Sequence, residues 1–232
     1  VSKMTLAQKV GQMTQPEIKS ATPEDVKRYY LGSVLNGGGS WPNGNKHAKA
    51  AEWLALAQRY HEASMSTDMA IKVPVVWGTD AVHGHNNVFG ATLFPHNIGL
   101  GATRNPKLVK KASEIVAREI AGTGMHWAFA PCVAAAQNIR WGRTYESFSD
   151  APGLAGELGV AATEGLQSAL PRGNYVLACP KHFLGDGGTQ NGVDQGNTVC
   201  DEAALRRLHL APYLPSLRAG AGSIMVSYSS WN

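Results

Sequence analysis

The stretch Val73-Pro74-Val75-Val76-Trp77-Gly78-Thr79-Asp80 carries the clearest fold signal in the sequence. Its β-branched and aromatic residues form a short apolar run that is typical of a buried strand, and the run ends in a glycine and two polar residues. Four other apolar runs have the same character, at residues 31–35, 127–133, 175–179 and 223–228. We therefore expect five buried strands, each followed by polar residues.

Helical patterns occupy the segments between these runs. Thr5 and Gln8 form a capping box that opens a short helix, with Leu6, Val10 and Met13 on one face. Other helices are predicted to begin at Thr22 and to span residues 46–63, 105–122, 152–169 and 201–219, the last bent by Pro212 and Pro215. The helix that opens at Asn105-Pro106 has the clearest apolar stripe: Leu108, Ala112, Ile115, Val116 and Ile120. This alternation predicts a parallel sheet with helices outside it.

The spacing of the strands indicates the type of sheet. They recur about every 48 residues, and eight such units would need more than ~350 residues to close a barrel. The chain has 232 residues. We therefore expect an incomplete TIM-like (β/α)8 barrel with about five βα units, in which residues 1–232 form an N-terminal barrel domain that continues beyond Asn232. A complete, open, doubly wound sheet of five strands is the alternative that the length leaves open.

Composition excludes several classes of protein. Hydrophobic residues make up 44% of the chain, which excludes disorder, and no apolar run reaches the ~20 residues of a membrane span. The net charge of +4 comes without a basic cluster, so we expect neither a nucleic-acid nor a membrane partner. Cys132, Cys179 and Cys200 lack the spacing of a disulfide framework or a zinc site. We expect no cofactor and no metal.

Charged side chains collect after the predicted strands, where parallel-sheet folds bind their ligands. Asp80 follows the second strand, Arg143 lies beyond the third, and Lys181 and His182 follow the fourth. A carboxylate that accepts two O–H bonds, together with Lys, Arg and His donors, suits the hydroxyls of a sugar. Several tryptophans near the strand ends, among them Trp127, Trp141 and Trp231, suit the flat apolar faces of a pyranose ring.

Each of these residues also has a purely structural interpretation. Asp80 could accept backbone N–H groups at a turn, and Lys181 could belong to a structural ion pair. His182 could be a core histidine, and Arg143 could form a plain salt bridge with Glu146. The tryptophans could be ordinary core residues.

The chemistry of glycosidic cleavage needs more than sugar-binding groups. It requires two carboxyl groups, about 5–5.5 Å apart for retention of configuration. Glu146 and Asp186 are possible acids by position, but neither has an obvious acidic partner. His83-Gly84-His85 supports a rival interpretation, a metal-dependent barrel hydrolase, although no third ligand is obvious.

Seven segments of the chain resemble family 3 glycoside hydrolases, in particular the β-glucosidase and exo-β-glucan glucohydrolase branch. They follow one another in the family's order and cover essentially the whole chain. The segments are residues 4–13, 78–84, 94–97, 129–132, 140–147 (Arg-Trp-Gly-Arg-Thr-Tyr-Glu-Ser), 181–183 (Lys-His-Phe) and 227–232.

The resemblance implies a (β/α)8-type barrel followed by an α/β sandwich domain, and an enzyme that releases terminal β-D-glucose with retention. The residues that match the family's glucose-binding positions are Asp80, Arg143, Lys181 and His182, with Tyr228 near the nucleophile. The resemblance places the nucleophile Asp and the acid/base Glu beyond Asn232. This chain would then contain no catalytic carboxylate and would be inactive alone, its partners being a β-glucoside or β-glucan oligosaccharide and the C-terminal domain of the same chain.

Two departures from the family's patterns refine the expectation. The loop after Lys181-His182 contains Asp194 but lacks the histidine of the family's β-N-acetylhexosaminidases, which favours the glucosidase branch. Ala136 and Thr144 stand where plant relatives carry cysteines, which points to a bacterial source. We expect the enzyme to be periplasmic or secreted. A glucose-binding fragment without catalysis remains an alternative.

Overall fold

Three parallel strands form the centre of the fold in a computed structural model that describes residues 1–168 and 175–232. They are β1 (Ser33–Asn36), β2 (Val76–Thr79) and β3 (Trp127–Ala128), arranged in the order β1-β2-β3. Val34 lies opposite Trp77, and Gly78 lies opposite Trp127. The first three predicted strands are confirmed, and the second begins three residues later than the apolar run.

The sheet continues on both sides through shorter parallel contacts. Leu177 bridges to Trp127 of β3, and Phe183 bridges to Val226, so the two later predicted strands are extended segments that follow β3 in order. On the other side, Glu17 bridges to Leu35 of β1 in a segment that was not predicted as a strand. The order in space follows the order in sequence without the reversal of a doubly wound sheet, so the fold is a TIM-barrel-like α/β fold.

Eight α-helices surround this sheet in the described part of the chain. Their bounds are α1 (Leu6–Gln12), α2 (Pro23–Tyr29), α3 (Ala50–Met65), α4 (Asn97–Ala102), α5 (Pro106–Gly122), α6 (Pro152–Leu166), α7 (Glu202–Ala204) and α8 (Tyr213–Arg218). The capping box of Thr5 and Gln8 is confirmed. The predicted helix 152–169 ends at Ala169, which lies outside the described residues. No helix within residues 1–168 and 175–232 is both long and apolar enough to cross a membrane.

The helix faces differ in part from the expected ones. In α5 the buried residues are Val109, Ala112, Val116, Ala117 and Ile120, whereas Leu108 at the edge of the predicted stripe is exposed. On α1, the apolar face of Leu6, Val10 and Met13 is exposed, while the buried residues of this helix are Gln8 and Gly11. Residue spacing identified the helices, but packing decided which stripe is covered.

The last predicted helix is interrupted. A π-helical turn, Leu205–Leu210, separates α7 from α8, and the N–H of Ala211 donates to the carbonyl of Arg206 five residues earlier. The sequence predicted one helix bent by Pro212 and Pro215; it is instead divided before Pro212, which has no N–H to continue the regular ladder, while Pro215 lies within α8. A two-stranded sheet of β4 (Asn197–Thr198) and β5 (Ser230–Trp231) was not predicted, because strands of two residues leave no periodicity to detect.

Candidate active site

Asp80 and Lys181 meet at the carboxyl ends of neighbouring strands. Asp80 directly follows β2, and Lys181 follows the extended segment that pairs with β3. The Lys181 Nζ donates to Asp80 Oδ1 at 3.0 Å. The lysine side chain is 3% exposed and the aspartate side chain 38% exposed. The pair therefore holds a buried cation, while one side of the carboxylate stays open to solvent.

This contact tests the two structural interpretations given above, Asp80 as the acceptor of a turn and Lys181 as part of a structural ion pair. The carboxylate of Asp80 binds Lys181, and it is the backbone carbonyl of Asp80 that accepts from the Asn87 side chain, so Asp80 is not a carboxylate cap of a turn. The structural ion pair foreseen for Lys181 is present. This ion pair leaves hydrogen-bonding groups for a ligand, because the Lys181 ammonium has three N–H donors and Asp80 Oδ2 can accept further hydrogen bonds.

Arg143 and Glu146 form a two-point ion pair across the short 3₁₀ turn Thr144–Glu146. Arg143 Nε donates to Glu146 Oε1 at 2.7 Å, and Nη2 donates to Oε2 at 3.1 Å. Burial alone would raise the pKa of the Glu146 carboxyl, but the hydrogen bonds and charge of Arg143, with Lys181 and His182 nearby, hold it below its usual value. Glu146 is therefore an anion that is already committed to Arg143.

His182 lies between Arg143 and Asp186. Arg143 Nη2 is 3.0 Å from His182 Nε2, and His182 Nδ1 is 2.7 Å from Asp186 Oδ2. Because arginine only donates, Nε2 must accept, and the ring proton must sit on Nδ1 and point to Asp186. His182 was expected to donate to a ligand; both of its nitrogens are instead engaged by protein groups.

The structure brings Asp80, Arg143, Lys181 and His182 into one cluster at the strand ends, through the Asp80–Lys181 ion pair and the Arg143–His182 hydrogen bond, which meet at the Lys181–His182 peptide. Tyr228 lies apart from it. The N–H of Ser227 donates to the Phe183 carbonyl, which puts Tyr228 at the end of the next extended segment, but this tyrosine is 86% exposed.

A buried group beside this cluster escaped the sequence analysis. Cys132 Sγ, a His182 nitrogen and an Asp186 oxygen all lie within 4.8 Å of one another, a separation that a metal ion could bridge. His182 Nδ1 and Asp186 Oδ2 are already hydrogen-bonded to each other at 2.7 Å, and His182 Nε2 faces Arg143, so the histidine and the acid are engaged by protein groups. The donors therefore fit a metal poorly.

The histidines of the rival metal interpretation lie in separate environments. His83 Nδ1 bonds to the Phe94 carbonyl, and its ring stacks on His96 at 3.9 Å between centroids. His85 is buried and its Nε2 bonds to the Thr123 hydroxyl. The two imidazoles do not converge on one point, so the geometry does not favour a metal-dependent hydrolase.

The tryptophans near the strand ends divide into two kinds. Trp141 is buried and donates to Asp194, and Trp127 donates to the Ser223 hydroxyl, so both have structural partners. Trp231 is about half exposed and donates to the Cys200 carbonyl. Only Trp231 of these three presents a large free face.

The chain is similar to known glycoside hydrolases. The model of the glycosyl hydrolase family 3 N terminal domain matches residues 5–232. A lysosomal beta glucosidase of Dictyostelium discoideum is 32% identical over 100% of this chain and 31% of its own length. A periplasmic beta-glucosidase of Salmonella typhimurium is 26% identical over 100% of this chain and 28% of its own length.

A solved structure gives the same result. The exo-1,3/1,4-beta-glucanase from a Pseudoalteromonas species has a TM-score of 0.94 and 48% identity, over 99% of this chain and 29% of that one. The chain spans less than a third of the length of these three proteins. The resemblance predicted from the seven segments is confirmed: the chain belongs to glycosyl hydrolase family 3 and carries that family's N-terminal domain.

Proposed function

We propose that this chain is the glucose-binding part of a retaining, exo-acting β-glucosidase that hydrolyses terminal, non-reducing β-D-glucosyl residues of β-glucosides and β-glucan oligosaccharides. The observation that carries the proposal is the convergence of Asp80, Lys181 and Arg143 at the strand ends. The names of the relatives support it, since all three are β-glucosidases or a β-glucanase.

The cluster suits a single sugar ring. The open side of the Asp80 carboxylate can accept two hydroxyl hydrogens, and Lys181 can donate to the oxygens of the same hydroxyls. Arg143, whose side chain is 29% exposed, can donate from the other side. Hydrogen bonds to charged groups lie at the strong end of the range, about 1.5–3 kcal/mol each. His182 lies behind Arg143, and Tyr228 lies at the end of the next extended segment; we place both among the residues around the ring.

The catalytic carboxylates come, on this proposal, from regions of the enzyme outside residues 1–232. Glu146 is bound at both oxygens by Arg143, and Asp186 is bound to His182, so neither buried acid is free to attack a sugar or to protonate a leaving group. The chain would supply about five βα units of the barrel. The remaining units and an α/β sandwich domain would supply the nucleophile Asp and the acid/base Glu.

The proposed location is outside the cytosol, either periplasmic or secreted. The Salmonella relative is called periplasmic, and the Dictyostelium relative is called lysosomal. A bacterial β-glucosidase of the periplasm or the medium would meet β-glucan oligosaccharides there.

The stereochemistry of the first product tests the proposed activity. The intact enzyme should release glucose from laminaribiose or cellobiose, and ¹H NMR should detect β-glucose before mutarotation. First-formed α-glucose would refute retention, and stable sugar binding without any hydrolysis would identify a non-catalytic glucose-binding protein. Residues 1–232 expressed alone should give no turnover, and hydrolysis by this part would mean that it contains the catalytic acids.

A further inference from the structure

Arg143 is the centre of a chain of four side chains that runs Glu146–Arg143–His182–Asp186. Both acids are almost completely buried, with side-chain exposures of 7% for Glu146 and 6% for Asp186. They approach from different parts of the fold, Glu146 from the 3₁₀ turn beyond β3 and Asp186 from the turn Asp186–Gly188 after the Lys181-His182 segment. Burying two acids at this position is costly unless their neighbours compensate the charges.

The donors of Arg143 can be counted. A guanidinium has five N–H groups. The Nε–H goes to Glu146 Oε1, and the two hydrogens of Nη2 go to Glu146 Oε2 and to His182 Nε2. Within residues 1–168 and 175–232 no group accepts from the two hydrogens of Nη1, so the network leaves one edge of the guanidinium for a ligand.

This arrangement requires one tautomer of His182. If the ring proton were on Nε2, it would point at an Arg143 N–H only 3.0 Å away, and the contact would be repulsive. Asp186 prevents this by accepting from Nδ1–H at 2.7 Å, and the same oxygen lies 3.4 Å from the His182 backbone nitrogen. Asp186 thus acts on Arg143 through the imidazole.

We propose that Glu146 and Asp186 are positioning residues that hold Arg143 from its two sides, so that its Nη1 edge faces the terminal sugar, and that His182 is the link through which Asp186 acts on Arg143. The role of Arg143 toward a sugar rests on the proposed function. The tautomer and the buried chain do not.

The tautomer can be measured without any activity. In the intact enzyme labelled with ¹⁵N-histidine, long-range ¹H–¹⁵N spectra at neutral pH should identify Nδ1 of His182 as the protonated nitrogen and Nε2 as the bare one, with the signals assigned by their loss in His182→Gln. In Asp186→Ala this preference should be lost. A wild-type ring that is protonated on Nε2 would overturn the proposal, whether or not the protein hydrolyses β-glucosides.

A double-mutant cycle tests the path through Arg143. Asp186→Ala should lower kcat/KM for a β-glucoside at least tenfold in the wild-type background and by much less in Arg143→Ala, since directly coupled residues are not additive. Equal losses in both backgrounds would assign Asp186 a merely structural role. Glu164→Ala, which removes the carboxylate of the exposed Lys110–Glu164 pair, is the matched control and should leave kcat/KM unchanged. If wild-type enzyme hydrolyses no β-glucoside, the proposed function fails, and the tautomer experiment still decides the positioning role.

Discussion

Asp80 and Lys181 differ in their exposure to solvent: the Lys181 side chain is buried, and the Asp80 side chain is partly exposed. The lysine is held inside the fold by its own strand, whose backbone bonds to Pro131 and Val133. The Asp80 carboxylate, 3.0 Å away, compensates the cost of burying the ammonium charge. The burial of Lys181 could be predicted from its position at the end of an apolar run. The partner 101 residues earlier could not, since only the parallel sheet brings the two strand ends together.

The stability of variants should reflect this asymmetry. Asp80→Ala leaves a buried ammonium without a partner and should lower the free energy of unfolding by about 2–4 kcal/mol. Lys181→Met leaves a carboxylate that water can reach and should change it by less than about 1 kcal/mol. Urea unfolding of the two variants beside wild type measures both values. Equal losses for the two variants would show that the pair is symmetric.

His85 makes stability depend on acid. Burial lowers the pKa of this imidazole from 6.5 to about 4. Between pH 6.5 and pH 4, His85 binds a proton in the unfolded chain but not in the folded chain. The contribution of neutral His85 to the free energy of unfolding is therefore complete above pH 6.5 and is lost as the pH falls towards 4. The total loss from this one group is about 3 kcal/mol.

The variant His85→Gln isolates this contribution. A glutamine amide can still donate to the Thr123 hydroxyl but does not titrate in this range. Other groups titrate equally in both proteins, so the difference in unfolding free energy between pH 7 and pH 4 should be smaller in the variant. Urea unfolding at the two pH values provides the measurement, and identical pH dependence would mean that His85 is protonated in the folded state.

At the scale of elements, helices were easier to predict than the surfaces they cover. Caps such as Thr5–Gln8 and Asn105-Pro106 are local, so the ends of α1 and α5 follow from the sequence. The exposed apolar face of α1 depends on what packs nearby, which no local pattern records. The same holds for the site: Arg143–Glu146 spans three residues and could be foreseen, whereas the contact between Arg143 and His182 joins residues 39 positions apart.

Helix α4 supports the turn that carries Glu146, and it does so through a close contact. The side chain of Asn97 donates to the Glu146 carbonyl, and a Cβ added at Gly101 would lie 1.7 Å from the Phe148 carbonyl oxygen. Gly101→Ala should therefore lower the free energy of unfolding by at least about 2 kcal/mol, because the backbone of residue 148 would have to move to make room for the added Cβ.

A second helical glycine provides the control. A Cβ added at Gly122, at the end of α5, would have no neighbouring atom within 4 Å, so Gly122→Ala should be neutral or stabilise by up to about 1 kcal/mol. Thermal unfolding of the two variants measures both effects. A Gly101→Ala protein as stable as Gly122→Ala would mean that α4 does not press against residue 148.

At the scale of the whole molecule, sheet order explains how distant residues become one site. Each segment lies beside the next one in sequence, all run in parallel, and their carboxyl ends share one rim. Polar residues after strands at positions 80, 143 and 181–182 therefore meet, which the alternation of strands and helices made predictable. The placement of Asp186 and Cys132 beside His182 was not predictable, because it depends on the loop geometry beyond the strand.

We propose that this rim binds a single terminal glucosyl residue through charged hydrogen bonds. The most direct measurement is kcat/KM of the intact enzyme for laminaribiose after Asp80→Asn, a change that keeps an acceptor for Lys181 but removes the charge and one acceptor oxygen. We predict a loss of about a hundredfold, from charged bonds worth about 1.5–3 kcal/mol each. A variant that folds normally and retains the wild-type kcat/KM would contradict the account.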